Sequence, residues 1–318
     1  MASKAHLFKI NNQPPFIQLV VSLGIVIVAG TLLFYFFVFA GSLYFRTGIE
    51  KMLLIPPLNA STTENMILRY VQFFQQFSMF VVPSLIIIYL VRKEDENFLG
   101  MKMFPGLITV LLVIILSLLI IPVTSYTGIL NSKISFPDWL SGVEEWMKIK
   151  EGKASDITEI LIVSSGFSGL ILNMIILAVI PAFGEEMLFR GIFQQLLCRI
   201  FRSGHIGIWI TAFIFSTIHF QFFGFLPRLI LGLGFGYLFY WSRNLWLPVI
   251  AHFVNNSVPV LMSYWIGWKE LKGKTINLKN QGMIIPVAEI MLCIMILIYF
   301  WSEYRKSQGY PVRKDRMI

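Results

Sequence analysis

A chain of 318 residues, 56% hydrophobic and only 14% charged, is too apolar for a soluble domain, where about 25% of residues are charged. Its mean hydropathy of +0.73 points the same way. The net charge of +9 would suggest nucleic acid in a soluble protein. Here many of the cations flank apolar runs and anchor helices at anionic headgroups, so membrane lipid is the implied partner and nucleic acid is excluded. Cys198 and Cys293 lie in or beside apolar segments, as small buried hydrophobes rather than a disulfide framework.

Apolar runs of about 17–25 residues can cross a bilayer, and they must do so as helices because hydrocarbon leaves no partner for open backbone groups. About eight such runs are predicted by this length rule: Phe16–Phe45, Met66–Val91, Phe104–Ile129, Ile157–Phe183, Ile206–Phe223, Leu226–Trp241, Leu245–Ile266 and Met283–Trp301. The first follows Lys4 and Lys9 and exceeds the roughly 7–15 residues of a cleaved signal core, so it is expected to be retained. Ser61-Thr62-Thr63-Glu64 predicts a capping box before the second run, and Asp156-Ile157-Thr158-Glu159 another before the fourth. The connection Asn131–Asp156 places Trp139, Leu140, Val143, Trp146 and Met147 on one helical face. Asp138, Glu144, Glu145 and Lys148 fall elsewhere, which predicts a short interfacial helix near 138–149 with Glu144 and Glu145 solvated.

Pro181 and Gly184 interrupt the fourth run, so Glu185–Phe201 is expected to be a separate or sharply kinked helix with its carboxylates at the N-terminus. The fifth and sixth runs are short and predict a tight hairpin or a re-entrant unit. Lys and Arg are only weakly biased between alternate sides, with Lys269, Lys272, Lys274 and Lys279 against the trend. Arg305, Lys306, Arg313, Lys314 and Arg316 after the last run favour both termini in the cytoplasm and a multi-pass protein of the plasma (inner) membrane. The expected fold is all-α, a polytopic transmembrane helical bundle. Residues 1–156 form an N-terminal transmembrane region, 157–266 a catalytic transmembrane core, and 267–318 the last span and a basic C-terminal tail.

Glu185-Glu186-Met187-Leu188-Phe189-Arg190 places two carboxylates and a guanidinium inside one of the most apolar parts of the chain. Ionisable groups at membrane depth cost roughly 2.5–3.5 kcal/mol each on insertion scales and usually face a bundle interior or a wet cavity. Glu186 and Arg190 are four apart and share a helix face, whereas Glu185 diverges from Arg190 by about 140°. Glu186 is therefore expected to pair with Arg190, and Glu185 to remain free as a base. His219 follows Phe215 by four residues, and Asn256 follows His252 by four. His6 in the N-terminal tail and His205 in an interhelical turn need no special account. Glu185, the two histidines within apolar runs, His219 and His252, and the Asn256 amide make a hydrolytic set. The carboxylate can deprotonate water, one imidazole can share that role or donate to a leaving amine, and the other imidazole and the amide can donate to an oxyanion. A zinc version is also chemically coherent, since two His and one Glu with a water match a catalytic site.

Glu-Glu-x-x-x-Arg at 185–190, Phe-x-x-x-His at 215–219 and His-x-x-x-Asn at 252–256, with the lead-in Asn244-Leu245-Trp246-Leu247-Pro248, resemble the signatures of the CPBP (Abi/CAAX-protease) intramembrane protease family, which includes the type II CAAX prenyl endopeptidases. The resemblance covers Pro181–Ser257. It implies an intramembrane endopeptidase acting on a membrane-associated protein or peptide. Glu185 and His219 would activate water, His252 and Asn256 would line the oxyanion hole, and Glu186, Arg190 and Phe215 would support the site. A metal, if present, would be Zn2+ held by Glu185, His219 and His252. Asn256 is a poor zinc ligand and a good oxyanion donor, which favours metal-free hydrolysis driven by the glutamate. Two other functions are compatible with such residues: a proton-coupled transporter, against which no inverted repeat is visible, and a non-proteolytic immunity or scaffold protein that kept the fold. Gly232-Leu233-Gly234-Phe235-Gly236 looks like a nucleotide loop but follows no strand, and small residues for close helix packing explain it better. Glu289, near the start of the last run, is expected to make a polar contact or reach the interface.

Overall fold

In a computed structural model the chain is all-α, and residues 9–57, 60–91, 97–134, 136–163, 166–271 and 287–309 are described. Among these no strand occurs. The first three long helices, α1 (Pro15–Tyr44), α2 (Thr62–Val91) and α3 (Leu107–Asn131), follow the predicted spans within a few residues. The Ser61 capping box forms, with reciprocal side-chain and backbone bonds to Glu64. After them come α4 (Ser141–Ile162), α5 (Gly166–Phe201), α6 (Gly204–Thr217), α7 (Phe225–Ser242), α8 (Trp246–Ile266) and α9 (Val287–Gly309). His6, Lys272, Lys274, Lys279 and the basic residues Arg313, Lys314 and Arg316 lie outside the described residues.

Several expectations need correction. Among the described residues six helices are long and apolar enough to cross a membrane, not eight. The fifth predicted span shrinks to α6, whose 14 residues reach only about 21 Å at ~1.5 Å per residue. The seventh, α8, is long enough at 21 residues but carries His252, Asn255, Asn256 and Ser257. The interfacial helix does not stop near 149. A 3-10 turn at Asp138–Leu140 leads into α4, which continues to Ile162 through the predicted capping site at Asp156. Thr158 Oγ1 instead donates to Ala154 O at 2.8 Å inside that helix, and the fourth span begins at Gly166.

Of the two forms expected after Pro181, the separate helix is absent. α5 runs unbroken for 36 residues, so Glu185 and Glu186 sit in its middle rather than at an N-terminus. Proline removes an i→i−4 donor and clashes with the preceding turn. A π turn at Ile175–Val179 widens the helix just before Pro181. The Leu177 carbonyl, four residues back from the proline, accepts a hydrogen bond from Asn256 Nδ2 at 3.1 Å. The same device recurs in α2, where a π turn at Phe77–Val81 precedes Pro83.

α6 and α7 pack as an antiparallel hairpin. Gly232 and Gly236 make this possible: a Cβ at Gly232 would stand 3.1 Å from Ala212 Cβ, and one at Gly236 would stand 2.8 Å from Ile208 Cγ2. The close-packing expectation for this glycine run therefore has its contacts. The hairpin turn, residues 218–224, is tied to neighbouring helices. Asn131 Nδ2 donates to Phe222 O at 2.7 Å, and Asn131 Oδ1 accepts from Leu226 N at 2.9 Å. From α4, Glu151 accepts from Phe223 N at 3.3 Å, and Trp146 packs on Phe222 with ring centroids 5.4 Å apart. Burial pushes the Glu151 carboxyl up from its ordinary value, against the pull of the Phe223 N–H and Arg228. Trp139 and Val143 stay exposed, an apolar face suited to the membrane interface. Glu144 pairs with Lys148 at 2.7 Å on the solvated side.

Asn131 is 5% exposed, with its amide bonded to the hairpin turn at Phe222 and to the start of α7 at Leu226. Asn131→Ala is expected to destabilise the protein by about 1–3 kcal/mol, the scale of two net hydrogen bonds. A fall in thermal midpoint in detergent checks this, and Asn131→Asp, which sets a carboxylate against the Phe222 carbonyl, should fall at least as far.

Candidate active site

Three helices bring the site together. α5 supplies Glu185 and Glu186 at mid-helix, α8 supplies His252, and His219 stands just past the end of α6. Glu185 and Glu186 are 4% and 0% exposed, and Arg190 is 0% exposed. The i, i+4 expectation holds: Arg190 Nη1 donates to Glu186 Oε1 at 2.8 Å. The guanidinium is further met by the Gly232 carbonyl at 3.0 Å and lies over the rings of Phe215 and Phe235, at 4.7 and 5.3 Å from their centroids. A buried cation between two ring faces gains cation–π attraction where water is excluded. Phe215 thus acts on the arginine as well as on His219.

Sequence spacing did not show that Glu186 Oε1 also accepts from His252 Nδ1, at 2.8 Å. A carboxylate shared with a guanidinium is an acceptor, so the proton of this bond belongs to Nδ1. His219 Nδ1 lies 2.7 Å from Phe215 O. That carbonyl belongs to the last turn of α6 and can only accept, so Nδ1 carries the proton here as well. The turn after His219 is unusual, because Phe220 adopts φ +51°. Left-handed backbone costs a bulky residue about 1–2 kcal/mol, and this strain bends the chain sharply beside the histidine.

With both Nδ1 atoms protonated, each neutral imidazole presents a bare Nε2. Both Nε2 atoms stand 4.0 Å from the same oxygen, Glu185 Oε2. His252 and Glu185 are buried, while the His219 side chain is 28% exposed and forms the open wall. The other carboxylate oxygen, Glu185 Oε1, accepts from Gln76 Nε2 at 3.3 Å. No motif or pattern marked Gln76, which lies in α2. Arg228, also unmarked, stands within electrostatic range of Glu185, Glu151 and His219, and it donates to Gln221 O at 3.0 Å. Asn256 is one turn past His252 and half-buried, with one amide N–H committed to Leu177. The contact of the fourth predicted residue therefore lies on the backbone of the glutamate helix. His205, placed in a turn by sequence, is the second residue of α6 and bonds Tyr237 Oη at 2.9 Å.

The donor chemistry suits zinc, because each histidine turns Nε2 inward and is oriented through Nδ1. The spacing does not. Bonds of ~2.0–2.2 Å in a tetrahedron place neighbouring donors roughly 3.4 Å apart, less than the 4.0 Å between Glu185 and either histidine. Among the described residues no group of three His, Cys, Asp or Glu is spaced to hold an ion.

The fold and this centre define a class: a polytopic helical membrane protein with a carboxylate–imidazole site buried in its bundle. Residues 167–258, from α5 to α8, match the family model described as type II CAAX prenyl endopeptidase Rce1-like. The chain is also similar to the uncharacterized protein YpbD of Bacillus subtilis (strain 168), with 34% identity over 90 residues. That match covers 27% of this chain and 43% of YpbD, so the similarity spans less than half of either protein. No solved structure matches the chain.

Removing the Glu186 charge would strand Arg190 in a fully buried place, and breaking such a pair costs about 3–5 kcal/mol. Glu186→Gln is therefore expected to lower the thermal midpoint and folded yield far more than Glu185→Gln. The double variant Glu186→Gln with Arg190→Met should recover part of the loss. Equal losses in the two single variants would contradict this division of roles.

Proposed function

We propose that this protein is an intramembrane endopeptidase that hydrolyses a peptide bond of a membrane-associated protein or peptide. The observation that carries the reading is the pair of 4.0 Å approaches of His219 Nε2 and His252 Nε2 to Glu185 Oε2. A water molecule can bridge polar atoms at such a separation, donating to Glu185 Oε2 and to one of the two Nε2 atoms. Glu185 takes a proton from that water as its oxygen attacks the scissile carbonyl carbon. The proton passes to an imidazole and from there to the amide nitrogen as the C–N bond breaks, leaving a carboxylic acid and an amine. His219, the more exposed imidazole, is assigned to share the base role and reach the leaving nitrogen. His252 can donate to the oxyanion only as an imidazolium, since the one N–H of its neutral form already donates to Glu186. The remaining Asn256 N–H is the neutral oxyanion donor.

The open wall at His219 and the turn 218–224 set the entrance on the side of α4. Beside it lies an apolar cavity of about 190 Å³, lined by Asn131, Ile134, Phe136, Met147, Phe222, Phe223, Phe225 and Leu226, which would accept an apolar side chain or lipid tail of the substrate. The family's description makes a prenylated peptide the first substrate class to test. We place the protein in the plasma (inner) membrane with both termini cytoplasmic, on the basic residues after the last span.

The test uses purified protein in liposomes and quenched-fluorescent peptides with and without an S-farnesyl cysteine. The parent chain should cleave at least one of these, and Glu185→Gln should reduce the rate by about 10²–10⁴, the range of a general base. Full activity in Glu185→Gln would sink the reading. Asn256→Ala should slow turnover by about 10²–10³ with KM little changed. Exhaustive chelation should leave the rate unchanged. Stoichiometric zinc whose removal silences the protein and whose return restores it would overturn the metal-free form of the mechanism.

A further inference from the structure

We propose that Gln76 is a positioning residue of the site: its amide holds one oxygen of Glu185 so that the other faces the two histidines. The proposal rests on the catalytic reading of Glu185 given above, and it extends the site into the N-terminal half of the chain, outside residues 167–258.

A buried carboxylate on a helix can rotate about its last torsion, and such terminal torsions are broad. Glu186 is restrained by Arg190 and His252. Glu185 has neither. Its contacts are Gln76 Nε2, at 3.3 Å from Oε1, and the two imidazoles, each at 4.0 Å from Oε2. The Gln76 bond divides the carboxylate into a held oxygen and a working oxygen.

The local backbone brings Gln76 to this place. It is the last residue before the π turn Phe77–Val81 of α2, and single π turns recur at functional sites because they re-aim the flanking side chains. The residues of that turn press on α5 at Gly184, where a Cβ would stand 3.0 Å from both Phe80 Cβ and Val81 Cγ2. The absent side chain at Gly184 lets α2 approach beside Glu185. Gln76 Oε1 is itself buried without a hydrogen-bond partner. A glutamine kept half in the interior with its acceptor unpaired costs stability, of the kind that functional sites carry.

The experiment combines two readouts. The first is a thermal-midpoint cycle of Gln76→Met, a near-isostere without a donor, against Glu185→Leu. Gln76→Met should lower the midpoint in the parent and change it little when Glu185 is already Leu. The second is the peptide assay. Gln76→Met should lower kcat by about 10²-fold with KM within about twofold, the cost of a misplaced catalytic group. Gln76→His, which keeps an N–H at similar reach, should recover most of the rate. The same midpoint loss in both backgrounds would overturn the proposal, as would a raised KM at unchanged kcat or a kcat loss that Gln76→His leaves untouched. Should the parent chain cleave no peptide, the protease reading fails while the midpoint cycle still decides whether Gln76 and Glu185 are coupled.

Discussion

Burial of the Glu186–Arg190 pair is the interaction on which the site rests. Both side chains are fully inside the bundle, where an isolated charge would be untenable. Each added contact that makes the pair tolerable also builds the site. The Gly232 carbonyl and the Phe235 ring draw α7 onto α5, the Phe215 ring draws in α6, and His252 joins α8 through Glu186. One charge pair thereby connects the helices that carry the two histidines, and His252 is oriented by the same oxygen that neutralises the arginine.

The second constraint is proline inside long helices. Pro83 and Pro181 each withhold a backbone donor at membrane depth, and each follows a π turn. These turns do more than accommodate the ring. The turn in α5 lies beside the carbonyl that Asn256 grips, and the turn in α2 begins right after Gln76. Distortions that keep the helices continuous therefore coincide with polar contacts, to the Leu177 carbonyl in α5 and from Gln76 to Glu185 in α2, as expected where membrane helices carry irregular backbone only against protein or a cavity.

Access follows from the shortness of α6. A helix of 14 residues cannot cross the roughly 30 Å hydrocarbon layer. It ends at Thr217, with Ile218 and Phe220 exposed, leaving His219 and the strained turn at Phe220 between the buried carboxylate and α4. The polar ties from Asn131 and Glu151 hold this short hairpin to its neighbours.

The sequence by itself determined the features that depend on nearby residues and on bulk hydropathy: an all-α membrane bundle, the ends of the first three spans, the Ser61 cap, and the pairing of Glu186 with Arg190. Helical periodicity decides an i, i+4 pair without any tertiary contact. Tertiary structure alone decided the rest. Pro181 read as a break because local rules see the missing donor but not the π turn that absorbs it. Asp156 read as a cap because the polar stretch before it gave no sign that α4 would run on to Ile162. The bond from His252 to Glu186 joins residues 66 apart, and Gln76 reaches Glu185 across 109 positions. Such contacts leave no local pattern. They exist because a buried charge must be satisfied from whichever helix packs closest, and that choice is made only when the bundle closes.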